Sequence, residues 1–148
     1  MTEIRFYHLA HTNLEQALPE LLEKVLQKNG RAVVMASSNE RVETLNRLLW
    51  TYKDHSFLPH GSRADGHAPD QPVWLTDADE NPNGAKFLFL TDGARSEKLK
   101  DFDMVCEIFE EAHEGAVEAA RARWSEYKNS GFSLTYWQQG AKGWEKKG

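Results

Sequence analysis

A three-layer α/β/α sandwich around a mainly parallel sheet is the fold this sequence predicts, and three observations carry the prediction. Short apolar runs rich in β-branched and aromatic residues alternate with stretches of helical periodicity. Helix-start signatures stand between them, and turn-forming residues close the joins. Strands that alternate with helices bury their apolar faces by layering the helices on both sides of one sheet.

Residues 3–9 read as a first strand, after which Thr12 and Glu15 form a capping-box pattern ahead of Leu14, Leu18, Leu21, Leu22, Val25 and Leu26. Gly30 ends that helix, and Pro19 either bends it or marks its regular start. Residues 31–36, with AVVMA, form a buried strand. Ser37 and Glu40 then cap a second helix that runs through Val42, Leu45, Leu48 and Leu49 to Trp50. Residues 51–71, dense in His, Pro and Gly, form a long irregular connection, of the kind that usually has work to do. Strands follow at 73–76, 86–91 and 104–109, with DADENPNG as a turn. A helix spans about 114–130, residues 132–138 make an edge strand, and 139–148 are expected as a mobile tail after a single domain of 1–138.

The chain has 148 residues, 40% hydrophobic and 28% charged, enough for one domain with a full core. Its formal net charge of -5 argues against coating duplex DNA or an anionic membrane, since both demand clustered positive charge, so any link to DNA is expected to be indirect. No apolar run approaches the ~20 residues that span a bilayer, and the opening MTEIRFYHLA has no leader pattern, so the cytoplasm is the expected location. Cys106 is the only cysteine and sits in the apolar run MVCEIF, the setting of a core residue rather than a nucleophile.

The motifs for cofactor and metal chemistry fail. This fold class resembles nucleotide-binding folds, yet the two turns where a phosphate would sit, LAHTN and ASSNE, lack the glycines and lysine of a phosphate loop. Asp77, Asp79, Asn81 and Asn83 space oxygen donors like a calcium loop, but Pro82 occupies the glycine position and Leu88 the glutamate position. His55, His60 and His67 match no zinc spacing. No metal or cofactor is expected. The alternative to a binding protein is a small α/β enzyme that uses His8 and His11, at the end of the first strand, or the histidines of the 55–67 loop.

The final helix is the most informative stretch. AARARWSEYKNSGF brings Arg121, Trp124 and Lys128 onto adjoining positions of one face and stops the helix at Gly131, an arrangement suited to an acidic peptide with an aromatic end. The same spacing fits a core-facing stripe of Val117, Ala120, Trp124 and Tyr127 with Arg121 and Lys128 on its solvated edge, and spacing alone favours that stripe. Stacking of single-stranded DNA on Trp124, Trp137 and Trp144 is a third use of these aromatics, and net acidity counts against it.

The landmarks FYHL, RAVVMASS, LLW, SFLPHG, PVWLT, NPNGAKFLFL and ARARWSEYKNSGFSLTYW, in this order and spacing, resemble the chi subunits of bacterial DNA polymerase III over nearly the whole chain. The resemblance implies a noncatalytic adaptor of the clamp loader, joining the psi subunit to the acidic, phenylalanine-ended tail of single-stranded DNA-binding protein (SSB). It implies that Arg121 meets the tail's carboxylate, that Trp124 and Val117 form an apolar wall beside Gly131 and Phe132, and that Lys128 faces the acidic flank. Val117 and Ser125 stand where other members carry lysines, which implies weaker and less salt-dependent tail binding. The implied psi surface comprises Trp50, Phe57, Leu58 and Pro59; Trp50 and Phe57 equally suit a core-closing role. An XPD-like helicase is the further partner that the resemblance suggests for the same surface.

Overall fold

The structure is a computed structural model that describes residues 2–51, 60–63, 65–141 and 143–148, with only the backbone of residues 50 and 51. Among the described residues the strands are β1 (Glu3–Leu9), β2 (Ala32–Met35), β3 (Gly61–Ser62), β4 (Val73–Thr76), β5 (Phe87–Leu90), β6 (Met104–Glu110), β7 (Ser133–Gly140) and β8 (Gly143–Lys146). They form one sheet in the order β3-β4-β2-β5-β6-β1-β7-β8. Every neighbouring pair is parallel except β7 with β8. The helices are α1 (Leu14–Gln27), α2 (Asn39–Thr51) and α3 (Ala116–Asn129).

Period-two alternation divides the strand side chains between two cores. On one face Tyr7, Leu9, Val34, Leu75, Phe89 and Ile108 pack with Leu18, Leu22 and Val25 of α1 and Val42, Leu45 and Leu49 of α2. On the other, Ile4, Phe6, Val33, Leu88, Val105 and Phe109 pack with Ala120 and Tyr127 of α3. This is the layered α/β sandwich that the sequence predicts. No helix among the described residues is long and apolar enough to cross a membrane.

Several local expectations shift by a residue. The α1 capping box is Asn13 with Gln16: the Gln16 N–H donates to Asn13 Oδ1 (2.9 Å) and the Asn13 N–H to Gln16 Oε1 (3.1 Å). Thr12, the residue expected there, instead accepts from Gln139 Nε2 (2.6 Å). Likewise Ser38, not Ser37, caps α2, accepting from the Arg41 N–H (3.1 Å). Pro19 lies inside α1, which begins at Leu14 and runs on past it. Asn29, with φ 57°, takes the left-handed position after α1, while Gly30 is required for space, since a Cβ there would stand 2.9 Å from Phe87.

The C-terminal region differs most. β7 is not an edge strand, because residues 143–146 turn back as β8 and pair with it. The segment read as a mobile tail thus contains a strand, and its hydrophobic anchor is Trp144, edge-on to Tyr7 at 5.0 Å.

Candidate functional site

The end of α3 is set by a backbone motif that glycine makes possible. Gly131 adopts φ +88°, its N–H donates to the Lys128 carbonyl (3.1 Å), and the Phe132 N–H reaches back to the Tyr127 carbonyl (3.2 Å). This is a Schellman closure. It carries the expected apolar contact, with the Phe132 ring edge-on to Tyr127 at 6.0 Å.

Along α3, Ala120, Arg123 and Tyr127 are buried, Val117 and Trp124 half-buried, and Arg121 and Lys128 exposed. The four residues Val117, Arg121, Trp124 and Lys128 therefore run as one stripe along the helix flank, part core edge and part solvated. The Phe132 ring rests on Tyr127 and lines a 710 Å³ groove with Arg95, Lys98 and Lys100.

Trp124 is seated by an aromatic cluster. Phe6 lies edge-on to it at 5.3 Å and Tyr136 at 5.9 Å, while the Phe6 and Tyr136 rings stack 6.4 Å apart across the β1–β7 pair. The Tyr136 hydroxyl is paired with His8 Nδ1 (2.7 Å), and His8 Nε2 with Glu111 Oε1 (3.2 Å). Burial raises the Tyr136 hydroxyl above its ordinary range, and the Arg121 charge nearby pulls it back. Arg121, Trp124 and Tyr136 together present a cation, an indole and a phenol on the flank of α3 toward β7.

Beneath this stripe lies an ion pair that periodicity could have disclosed. Arg123 donates through Nε to Glu107 Oε1 (3.1 Å), and the Tyr127 hydroxyl donates to Glu107 Oε2 (2.6 Å). Glu107 shares strand parity with Val105 and Phe109, and Arg123 shares the helical face of Ala120 and Tyr127. A charge in phase with core residues on each element signals a buried partner. Burial raises the Glu107 carboxyl, with Arg123 and the Tyr127 hydroxyl opposing the rise.

The other candidates disperse. His8 is buried against Phe109 within its hydrogen bonds, whereas His11 is exposed and offers its backbone N–H to Gln139. His60 is buried beside the Asn46 carbonyl (3.1 Å), and His67 is exposed. His55 lies outside the described residues. In the calcium-like segment, Asp79 accepts from Ser96 Oγ and the Glu97 N–H, Asn81 brackets Ala85, and Asn83 donates to the Ala32 and Gln71 carbonyls, so these groups build the turn. No group of three His, Cys, Asp or Glu side chains among the described residues is placed to hold a metal. Burial pushes the Cys106 thiol up to about 12. Trp137, under Arg5 at 5.8 Å, and Trp144 lie on the opposite face of the sheet from Trp124, so the three indoles form no common stacking platform. Of the expected psi surface, Phe57, Leu58 and Pro59 lie outside the described residues, and only the backbone of Trp50, in α2, is described.

Comparison with known proteins bears on most of the chain. A relative in Rickettsia prowazekii (strain Madrid E), described as "Probable DNA polymerase III subunit chi", is 33% identical over 105 residues, which make up 69% of this chain. That aligned stretch spans 64% of the relative's own length. The family described as "DNA polymerase III chi subunit, HolC" matches residues 1–135. With nearly its entire α/β sandwich inside that match, the chain belongs to the DNA polymerase III chi subunit family.

Proposed function

We propose that this protein is a noncatalytic accessory subunit of DNA polymerase III, an adaptor that joins the psi subunit of the clamp loader to the acidic C-terminal tail of SSB during replication. It acts in the cytoplasm and reaches DNA only through those partners. Family membership supports the polymerase assignment. The observation that carries the tail reading is the stripe on α3, where exposed Arg121 and Lys128 flank half-buried Trp124 one turn to either side. A terminal carboxylate forms strong charge-assisted hydrogen bonds with a guanidinium, upstream aspartates favour Lys128, and the terminal phenyl ring gains from apolar contact with Trp124 and Val117.

An acidic peptide ending in phenylalanine is expected to bind with a Kd of about 1 μM, or about 8 kcal/mol. Arg121→Ala weakens that binding at least about tenfold, worth about 1.4 kcal/mol, with the thermal midpoint unchanged because Arg121 is a surface residue. Titration calorimetry decides it, and equal affinities for parent and variant would discard the assignment of the carboxylate.

We take the psi surface to be residues 50–59, as the family resemblance implies, with Trp50, Phe57, Leu58 and Pro59 as anchor residues. An XPD-like helicase that used the same surface would contend with psi for it. Phe57→Ala is expected to abolish co-purification of psi, at a cost of about 2 kcal/mol or more, while leaving peptide affinity unchanged. Psi retained at parental levels on the Phe57→Ala protein would move the surface elsewhere.

A further inference from the structure

Residues 147 and 148 stay paired with the sheet. The Lys147 N–H donates to the Tyr136 carbonyl (2.7 Å), and the Gly148 carbonyl accepts from the Tyr136 N–H (3.3 Å), which carries the β7–β8 pairing two residues beyond the strand. At its end the backbone comes up beside Tyr136 and the edge of Trp124. A Cβ built on Gly148 would stand 3.7 Å from Tyr136 Cβ and 4.0 Å from Trp124 Cη2, ordinary van der Waals contact. The hairpin that delivers this segment is held by Trp144 against Tyr7, on the far face of the sheet. Tyr136 and everything after it lie past residue 135, where the family match ends.

We propose that residues 147–148 are a strap that competes with a bound peptide for contact with Trp124, so that the tail site opens only when the strap lifts. The inference rests on the reading of the Arg121–Trp124–Lys128 stripe as a peptide site. Two main-chain hydrogen bonds near the edge of a sheet are a modest restraint, because each replaces a bond that the same groups make to water when the strap lifts. Local opening of this kind is cheap compared with global unfolding. A ligand that needs the open form binds with its intrinsic affinity reduced by the open fraction. Removing residues 147–148 takes away a cation and also carries the chain-end carboxylate away from Trp124, so charge alone moves the affinity for an acidic peptide both ways. Gly148→Phe changes no charge.

The experiment compares the 148-residue chain with a chain of residues 1–146 and with Gly148→Phe, each titrated with an acidic peptide ending in phenylalanine. The shortened chain is expected to bind roughly fivefold tighter, as the loss of a strap closed about four-fifths of the time would give. Gly148→Phe, whose Cβ meets only ordinary van der Waals contact with Tyr136 and Trp124 and whose ring adds apolar bulk beside them, is expected to bind more weakly than the parent. Unchanged or weaker binding by the shortened chain overturns the strap while leaving the peptide site standing. If none of the three binds the peptide, the site reading fails and takes the strap with it. Should the shortened chain not fold, Gly148→Phe decides alone: weaker binding supports the strap, and equal or tighter binding overturns it.

Discussion

Glu107→Ala lowers the free energy of unfolding by about 3–5 kcal/mol, the largest electrostatic effect expected among the described residues. Glu107 is 1% exposed and Arg123 7% exposed. Removing the carboxylate strands a guanidinium in a site that water barely reaches and also orphans the Tyr127 hydroxyl that donates to it at 2.6 Å. Burial decides the magnitude. The Arg95–Glu126 pair has both side chains about half exposed, 51% and 55%, and breaking it costs under about 1 kcal/mol. Glu107→Met combined with Arg123→Leu recovers the part of the loss that comes from the stranded charge, while the Tyr127 hydroxyl stays unpaired. Urea denaturation of the two single variants and the double variant checks this. A loss below about 1 kcal/mol for Glu107→Ala would mean that solvent enters and screens the pair.

Phe6→Ala is expected to cost a further 3–5 kcal/mol or so, and to disturb the peptide site as well as the fold. The Phe6 ring is 0% exposed and touches three other rings: Trp124 at 5.3 Å, Tyr127 at 6.0 Å and Tyr136 at 6.4 Å. Truncation opens a cavity between β1 and α3, and each aromatic pairing is worth about 0.5–1.5 kcal/mol beyond burial. Phe6→Leu separates the two consequences. It keeps most of the volume, so the fold survives, but it removes the edge-on seat of Trp124. Near-ultraviolet circular dichroism should report the altered indole environment, and peptide affinity should fall. Parental affinity in a folded Phe6→Leu protein would show that the indole needs no aromatic support to do its work.

The strand and helix pattern is legible in the sequence because burial of one face imposes a period on each element. Residues 73–76 are read correctly to the residue, and the stop of α3 at Gly131 follows from the one residue type that accepts φ +88° cheaply. Caps are less legible. Thr12, Asn13, Ser37 and Ser38 offer nearly the same chemistry, and long-range demand chooses among them, as when Gln139 of β7 claims the Thr12 hydroxyl. The tail from residue 139 reads as unstructured because the glycine-rich GAKGWEKKG has little local preference for a strand. Only the packing of Trp144 on Tyr7, over a hundred positions earlier, gives it one.

By itself the sequence determined the fold class, the end of the last helix, and the family, whose landmarks are spread over the chain in a fixed order. It also supplied the α3 stripe, since spacings of three and four residues suffice to align side chains on a helix. Tertiary structure alone decided what surrounds that stripe. Tyr136 and Phe6 reach Trp124, with His8 bonded behind Tyr136, from strands that local periodicity cannot place next to α3, and Glu107 meets Arg123 only because β6 and α3 pack face to face. Local rules are written in neighbouring residues, whereas these contacts depend on which strands lie side by side. That order, β6-β1-β7-β8 at this end of the sheet, is settled by burying all the apolar faces at once.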